Sequence, residues 1–276
     1  METKLIALLT DFGLSDPYVG IMKGVISGIS PGLTTIDLTH QIPPGDIQAG
    51  AFHLWQSSRY FPPETVFLAV VDPGVGSDRK GLVLQRESQI FIGPDNGLFS
   101  YLCYKTETSA WELANPIYQL ENPSSTFHGR DIFAPAAAHT ALGIQAESFG
   151  MSISSPVRLP QPILRVEGKS IQGEVIHSDQ FGNLTTSLGQ FEERDQGLQF
   201  TSWIDNQNQI LSWGPALTID QTGTALPLVS TFSDIPSGSC AALIGSSGLL
   251  EIVSNRASAA ELLKLGRGDP VTLNWN

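Results

Sequence analysis

The chain is short of charge, of basic residues, of cysteine and of long apolar runs, and each shortage closes off a class of function. Only 15% of its 276 residues are charged, and Lys plus Arg number 15 against 27 Asp plus Glu, for a net charge of −12. A nucleic-acid binder needs a basic face to neutralise phosphates, and no such face is visible in the sequence. The same sign disfavours an anionic membrane surface and mainly favours solubility. Cys103 and Cys240 are the only cysteines. Two distant thiols without metal-type spacing make no disulfide framework and suit a reducing cytoplasm. No stretch approaches the roughly 20 apolar residues that a spanning helix needs. The N-terminal run Leu5-Ile6-Ala7-Leu8-Leu9 is too short for a signal-peptide core and is closed by Asp11. A soluble, cytoplasmic protein without nucleic-acid or membrane partners is expected.

What is present is globular material, 41% hydrophobic, which excludes disorder. The length allows one large core or two smaller ones. Lys4–Leu9, Leu33–Leu38 and Thr65–Val71 read as strands. Between them, Ser15-Asp16-Pro17 opens a helix that Pro31-Gly32 closes, and Asp46–Tyr60 forms a second. This alternation predicts a parallel, helix-flanked sheet. Gly81–Leu84 and Gln89–Ile92 read as a hairpin, and Asp131–Leu142 as another helix. The character changes after about residue 150, where Pro156, Pro160 and Pro162 mark a stiff connector. Short alternating segments follow, such as Gly173–His177 and Leu184–Ser187, with glycine-rich turns that suggest a small β-barrel or sandwich. One late helix starts at the capping-box pair Ser258 and Glu261 and stops at Gly266. The expected organisation is α/β. An N-terminal α/β domain with a helix-flanked, mostly parallel sheet spans 1–155, a linker 156–166, and a smaller C-terminal β-barrel-like domain 167–276.

Polar groups gather where strand-like runs give way to glycine, the place where α/β proteins put reactive side chains, just outside the carboxyl ends of strands. Val70-Val71-Asp72-Pro73-Gly74-Val75-Gly76 supplies a carboxylate, Asp78-Arg79-Lys80 a guanidinium, and Thr126-Phe127-His128-Gly129-Arg130-Asp131 an imidazole. Asp72 is either a turn former before proline or an acid beside glycines that let a ligand approach the backbone. Its loop lacks the Gly-Lys-Ser/Thr ending of a phosphate loop. Arg79 is either a solvated loop charge or, returning to Asp72, the cation that keeps that carboxylate ionised and aimed. His128 is either a core histidine satisfied by backbone or a group that holds or passes a proton near neutral pH.

Other positions carry the same two-sided reading. Asp11 either caps a helix start or accepts both hydroxyls of a ribose diol. Asp179-Gln180-Phe181-Gly182-Asn183 is a plain β-turn, or a platform where Phe stacks on a base and Asn hydrogen-bonds it. Gly245-Ser246-Ser247-Gly248 offers hydroxyls and bare amides to a carboxylate, although serine–glycine turns are common. His40, Asp46 and His53 raise a metal site, but no His-x-x-x-His or Cys-x-x-Cys pair accompanies them, and no metal is expected.

At these segments the chain resembles the S-adenosylmethionine hydrolase family, also described as S-adenosylmethionine hydroxide adenosyltransferases, relatives of the fluorinase and chlorinase enzymes. The resemblance runs over essentially the whole chain. It is carried by Thr10-Asp11-Phe12-Gly13, Val71 through Gly76, Gly93-Pro94-Asp95-Asn96-Gly97, Thr126 through Asp131, Asp179 through Asn183, and Ser246 through Asn255. It implies that S-adenosylmethionine and water give adenosine and methionine, with Asp72, Arg79 and His128 activating the water. Substrate-binding residues implied with them are Asp11 at the ribose, Asn183 at the adenine, Asp179 near the methionine ammonium, and Phe127, Phe181, Ser246, Ser247 and Asn255. No cofactor is implied, since S-adenosylmethionine is the substrate. A homotrimer is implied, each site lying between one subunit's N-terminal domain and its neighbour's C-terminal domain. Halogenases carry tyrosine where Asp72 stands and serine near Gly129. A carboxylate at that place repels halide and suits water, so hydrolysis is favoured over the alternatives, a nucleophilic halogenase or a non-catalytic nucleoside-binding protein. Ser247 stands where halogenases place an arginine for the methionine carboxylate, and the spacing before Phe181 differs from theirs by one residue.

Overall fold

The computed structural model describes residues 5–195, 197–211, 216–220 and 222–275, so Lys4, expected to open the first strand, lies outside the described residues. The chain divides into two compact units between Leu159 and Pro160, inside the proline-marked segment.

The first unit runs β1 (Leu5–Thr10), α1 (Tyr18–Ile29), β2 (Thr34–Thr39), α2 (Ile47–Ser58), β3 (Val66–Val70), β4 (Gly81–Arg86), β5 (Gln89–Pro94), β6 (Thr108–Glu112) and α3 (Ala134–Ala141). Its six strands form one sheet in the order β2-β1-β3-β5-β4-β6. β2, β1, β3 and β5 are parallel, whereas β4 and β6 join antiparallel at one edge. The sheet is therefore mixed: the expected parallel pairing holds for β2, β1, β3 and β5, and the pairings of β4 with β5 and β6 are antiparallel. The hairpin was legible, but β6 was not, because Thr108-Ser109-Ala110-Trp111-Glu112 carries one buried residue and so no clean apolar run. β3 and the Leu5–Leu9 run of β1 are apolar because both faces of the sheet are covered. Ile6, Leu8, Leu68 and Val70 pack with Met22 and Ile26 of α1 and the alanines of α3. Ala7, Leu9, Phe67 and Ala69 pack the other face with Ala49 and Leu54 of α2. Asp46 caps α2, its Oδ1 accepting from Ala49 N at 3.0 Å. The register pairs Thr10 with Val70, so Asp11 and Asp72 emerge from the same carboxyl edge.

The second unit runs β7 (Leu164–Glu167), β8 (Ser170–Ser178), β9 (Leu184–Arg194), β10 (Gly197–Thr201), β11 (Asn208–Leu211), β12 (Ala216–Ile219), β13 (Thr224–Val229), β14 (Cys240–Ile244), β15 (Leu249–Ser254), α4 (Ala259–Leu263) and β16 (Pro270–Asn274). The strand order β9-β15-β14-β13-β12-β16-β8 closes on itself through a β8–β9 pairing, which makes a seven-stranded barrel. Ile171, Val175, Leu184, Leu217, Leu250, Ile252 and Val271 fill its core. Ser258 caps α4 by accepting from Glu261 N at 3.1 Å. The helix stops earlier than Gly266, because Lys264 takes the left-handed conformation at φ 54°. Among the described residues no helix is long and apolar enough to cross a membrane, and Cys103 and Cys240 are unpaired.

Candidate active site

Asp72 stands two residues beyond β3, after the fully buried Val71. The chain then turns tightly: Val75 N donates to the Asp72 carbonyl at 3.3 Å, and Ser77 N to the Gly74 carbonyl at 3.1 Å. Gly76 makes this turn possible. Its φ is +79°, and a Cβ there would lie 2.4 Å from the Ser125 carbonyl oxygen. The loop brings Arg79 back over Asp72. Arg79 Nε donates to Asp72 Oδ1 and Oδ2 at 2.9 and 3.0 Å, and Nη2 donates to Oδ2 as well. The same Nη2 meets His128 Nδ1 at 2.9 Å, and Nη1 reaches the Lys80 carbonyl at 3.3 Å. The guanidinium lies over the Phe133 ring, 5.1 Å from its centroid. Side-chain exposure is 4% for Asp72 and 10% for Arg79, so this bidentate pair is shielded from water.

His128 opens a π-helical turn, Gly129–Phe133, that runs into α3; the helix expected over Asp131–Leu142 thus begins with a bulge. A guanidinium only donates, so His128 Nδ1 must accept and the ring proton belongs on Nε2. Burial pushes the His128 pKa down, and the adjacent Arg79 charge pushes it further, against opposing pulls from Asp72 and Asp131. The imidazole is thereby held neutral. Asp131, buried, fixes the preceding loop by accepting from Ser124 N at 2.9 Å, and Arg130 grips both of its oxygens at 2.6 and 2.8 Å.

Asp72 and His128, the two groups that Arg79 joins, border a cavity of about 360 Å³ in the first unit, lined among others by Phe12, Tyr18, Phe127 and Arg130. Phe12, Tyr18 and Phe127 meet edge to face, with centroids 5.3–6.0 Å apart. A wall of three rings beside a carboxylate suits a flat, cationic or polar organic ligand. Asp11 does not cap α1, whose N-terminal flank is Pro17. Its Oδ2 accepts from Gly45 N at 2.8 Å, and Oδ1 takes no hydrogen bond among the described residues. The backbone beside it is fixed: Gly13 N donates to the His40 carbonyl at 2.7 Å, and Phe12 N to Thr10 Oγ1 at 3.2 Å. His40 is buried with Nδ1 on Thr10 Oγ1 at 2.9 Å, while Nε2 lies 3.0 Å from Asp37 Oδ1, off the N–H axis. His40, Asp46 and His53 each have such local roles or surroundings: burial lowers the His53 pKa against the pull of Asp46. Among the described residues no group of three potential metal ligands gathers.

The second unit carries the remaining sequence-picked residues. Asp179 Oδ1 accepts from Phe181 N at 2.8 Å and Asn183 N at 2.9 Å, and Oδ2 from Asn183 Nδ2 at 2.9 Å. The carboxylate therefore builds the loop, and the loop presents Phe181 at 68% exposure. Gly182 is compulsory there, since a Cβ would fall 2.1 Å from Ser258 Oγ. Ser246 is exposed, whereas Ser247 is buried and its Oγ accepts from Leu249 N at 3.3 Å. Asn255 gives Nδ2 to the Ile235 carbonyl at 2.8 Å. Glu251, not singled out in the sequence, has its pKa pushed up to about 6, by burial first and then by Asp179. Also missed were Tyr18, Ser124 and Arg130 around the cavity. An aromatic one residue after a helix-opening proline was the available signal for Tyr18.

Two family models account for the chain: the SAM hydroxide adenosyltransferase N-terminal domain matches residues 6–150 and the SAM hydroxide adenosyltransferase C-terminal domain matches residues 173–272. A protein named (R)-S-adenosyl-L-methionine hydrolase from Thermus thermophilus is 37% identical over 281 residues, covering 96% of this chain and 97% of that one. A protein named fluorinase from Actinoplanes sp. is 29% identical, covering 98% and 97%. Among solved structures, an uncharacterized conserved protein from Thermotoga maritima superposes with a TM-score of 0.83 at 33% identity, covering 98% of this chain and 99% of that one.

Proposed function

The chain belongs to the SAM hydroxide adenosyltransferase family, and from that premise we propose that it hydrolyses S-adenosyl-L-methionine to adenosine and L-methionine. The observation that carries this reading is the Asp72–Arg79–His128 contact at the edge of an aromatic-walled cavity. The electrophile is the ribose C5′, activated by the neighbouring sulfonium. Methionine leaves as a neutral thioether, so its departure needs no general acid. The enzyme's task is to hold one water in line with the C–S bond, and such positioning supplies roughly 7–11 kcal/mol of a barrier.

The hydrogen-bond directions favour Asp72 as the base. Arg79 remains protonated, and its donation occupies His128 Nδ1. Asp72 is the member of the set with accepting capacity left over, since its Oδ1 receives a single donor. The water's proton passes to Asp72, the oxygen bonds to C5′, and the C–S electron pair leaves on sulfur. Arg79 then steadies the charge pattern and His128 donates from Nε2 to orient the oxygen. Asp11 holds the ribose diol, with Phe127 against the nucleoside. In the homotrimer that the family resemblance implies, a neighbouring subunit's second unit brings Phe181 and Asn183 to the adenine and Asp179, Ser246 and Ser247 to the methionine end, with Asn255 as a further substrate-binding residue. No cofactor or metal enters these steps. The working form is read as a homotrimer in a reducing cytoplasm, on the strength of the family resemblance and the unpaired thiols.

The decisive measurement is chromatography of products formed in oxygen-labelled water. Label in the adenosine 5′-hydroxyl is expected, with or without EDTA, and the two sulfonium epimers should be compared because the Thermus relative's name specifies (R). Asp72→Ala should abolish adenosine release while substrate binding stays within about tenfold. Full activity in that variant sinks the assignment; loss with EDTA indicates a metal hydrolase. 5′-Haloadenosine formed with added fluoride or chloride would move the chain to the halogenases, and an inert wild type to the non-catalytic binders.

A further inference from the structure

The Gly93-Pro94-Asp95-Asn96-Gly97 turn supplies no group to the chemistry above, yet it grips the Asp72–Arg79 loop at both ends. Asn96 donates Nδ2 to the Val71 carbonyl at 2.8 Å, one residue before Asp72, while its Oδ1 accepts from Leu98 N at 3.2 Å. Asp95 donates its backbone N–H to the Lys80 carbonyl at 2.9 Å, one residue after Arg79. That carbonyl also receives Arg79 Nη1. Asp95 Oδ1 is itself anchored by Val157 N at 2.8 Å. The turn begins in the last two residues of β5, which pairs with β3 and β4, the strands leading into and out of the loop. An ordinary turn bonds to its own neighbours; this one fastens both hinge points of the Asp72–Arg79 loop to the sheet.

We propose that Asn96 is a positioning residue: through Val71 it sets where the Asp72 carboxylate stands relative to Arg79 and His128. Removing the Nδ2 donor leaves the carbonyl of a fully buried residue unpartnered, so the peptide turns to find another donor and carries Asp72 with it. A displacement of about 1 Å at such a site costs on the order of a hundredfold in rate. The activity arm of this inference rests on the hydrolase reading; the geometric arm does not.

Asn96→Asp keeps the size and the acceptor for Leu98 but sets an oxygen against the Val71 carbonyl, and Asn96→Ala removes both bonds. Each is assayed for adenosine release from S-adenosylmethionine, and by ring 15N resonances of His128 in histidine-labelled protein. In either variant that folds, kcat should fall about thirty- to a hundredfold with KM within about threefold. The His128 Nδ1 resonance should shift as Arg79 withdraws, and the ring should titrate closer to the usual histidine value. Val83→Ala, in the core of the same sheet, should lower stability without moving either readout. A folded Asn96 variant with wild-type kcat and an unchanged His128 signal overturns the proposal, as does a rise in KM alone. Failure of both variants to fold also overturns it, because the role claimed is confined to the loop. A shifted His128 signal in a protein whose wild type releases no adenosine upholds the positioning role and removes the hydrolase reading instead.

Discussion

Arg79 is the residue on which the geometry of the set depends, because one planar fork meets acceptors on three residues at once. It spans both Asp72 oxygens, donates to His128 Nδ1 and reaches the Lys80 carbonyl. A lysine placed there carries the same charge as a compact point with no fork, and cannot hold the carboxylate plane and the imidazole together. Arg79→Lys should therefore lower kcat by about a hundredfold while KM changes little, measured by single-turnover adenosine release. Wild-type turnover in that variant would show that charge alone suffices. Asp11 and Asp179 show how much of a residue's part is legible in advance. The residue types and their strand-end positions were readable, and so was the grouping of an acid, a cation and an imidazole. The partners were not. Asp179 spends both oxygens on Phe181, Gly182's neighbour Asn183 and its own loop, because a short polar side chain bonds locally when its backbone offers amides. His40, weighed as a metal ligand and not expected to be one, lies buried between Thr10 and Asp37, which only the parallel pairing of β1 with β2 brings near one another.

At the scale of elements, the strands and helices with strong apolar periodicity were legible and the weakly patterned ones were not. β3 and the Leu5–Leu9 part of β1 announce themselves as unbroken apolar runs, since both faces are covered. β6 and β11, with a single buried residue each, carry too little contrast to be read before pairing is known. The π turn at Gly129 was invisible for another reason. The segment keeps helical composition, and the bulge follows from the tertiary demand that His128 face Arg79 while Asp131 holds Ser124. The Asp72 loop is the element most exposed to a single change. Gly76→Ala forces a side chain into a left-handed conformation and sets its Cβ 2.4 Å from the Ser125 carbonyl oxygen. The strain amounts to roughly 2 kcal/mol, which lowers Tm by about 4 to 8 °C. Because the displaced partner is the chain just before His128, turnover should fall as well. Calorimetry and turnover checked on the same preparation test this, and a stable Gly76→Ala with full activity would show that the loop has more room than its geometry indicates.

At the scale of the whole molecule, the two units should respond to acid in opposite directions. In the first unit burial lowers the pKa of His53, His128 and His139. The unfolded chain then binds more protons than the folded one as pH falls through the ordinary value of 6.5, so stability present above that value is lost below it. Asp95, raised by burial, opposes this only near the carboxylate range, and the lowered Asp37 and Asp131 add to the loss at still lower pH. In the second unit Glu251 is raised from 4.5 to about 6. There the folded state binds the extra proton, and stability increases as pH falls from about 6 toward 4.5. Hydrogen exchange followed by mass spectrometry between pH 7 and 5, corrected for intrinsic rates, separates the two. Amides of β1, β3 and α3 should lose protection while those of β9, β14 and β15 hold or gain it. Turnover should fall on the same acid limb as the first unit, because a protonated His128 sets an N–H against Arg79 Nη2 and breaks their contact. His128→Gln, which accepts or donates without titrating, should flatten that limb at reduced kcat. An acid limb unchanged in His128→Gln, or protection lost equally in both units, would assign the pH response to groups other than these.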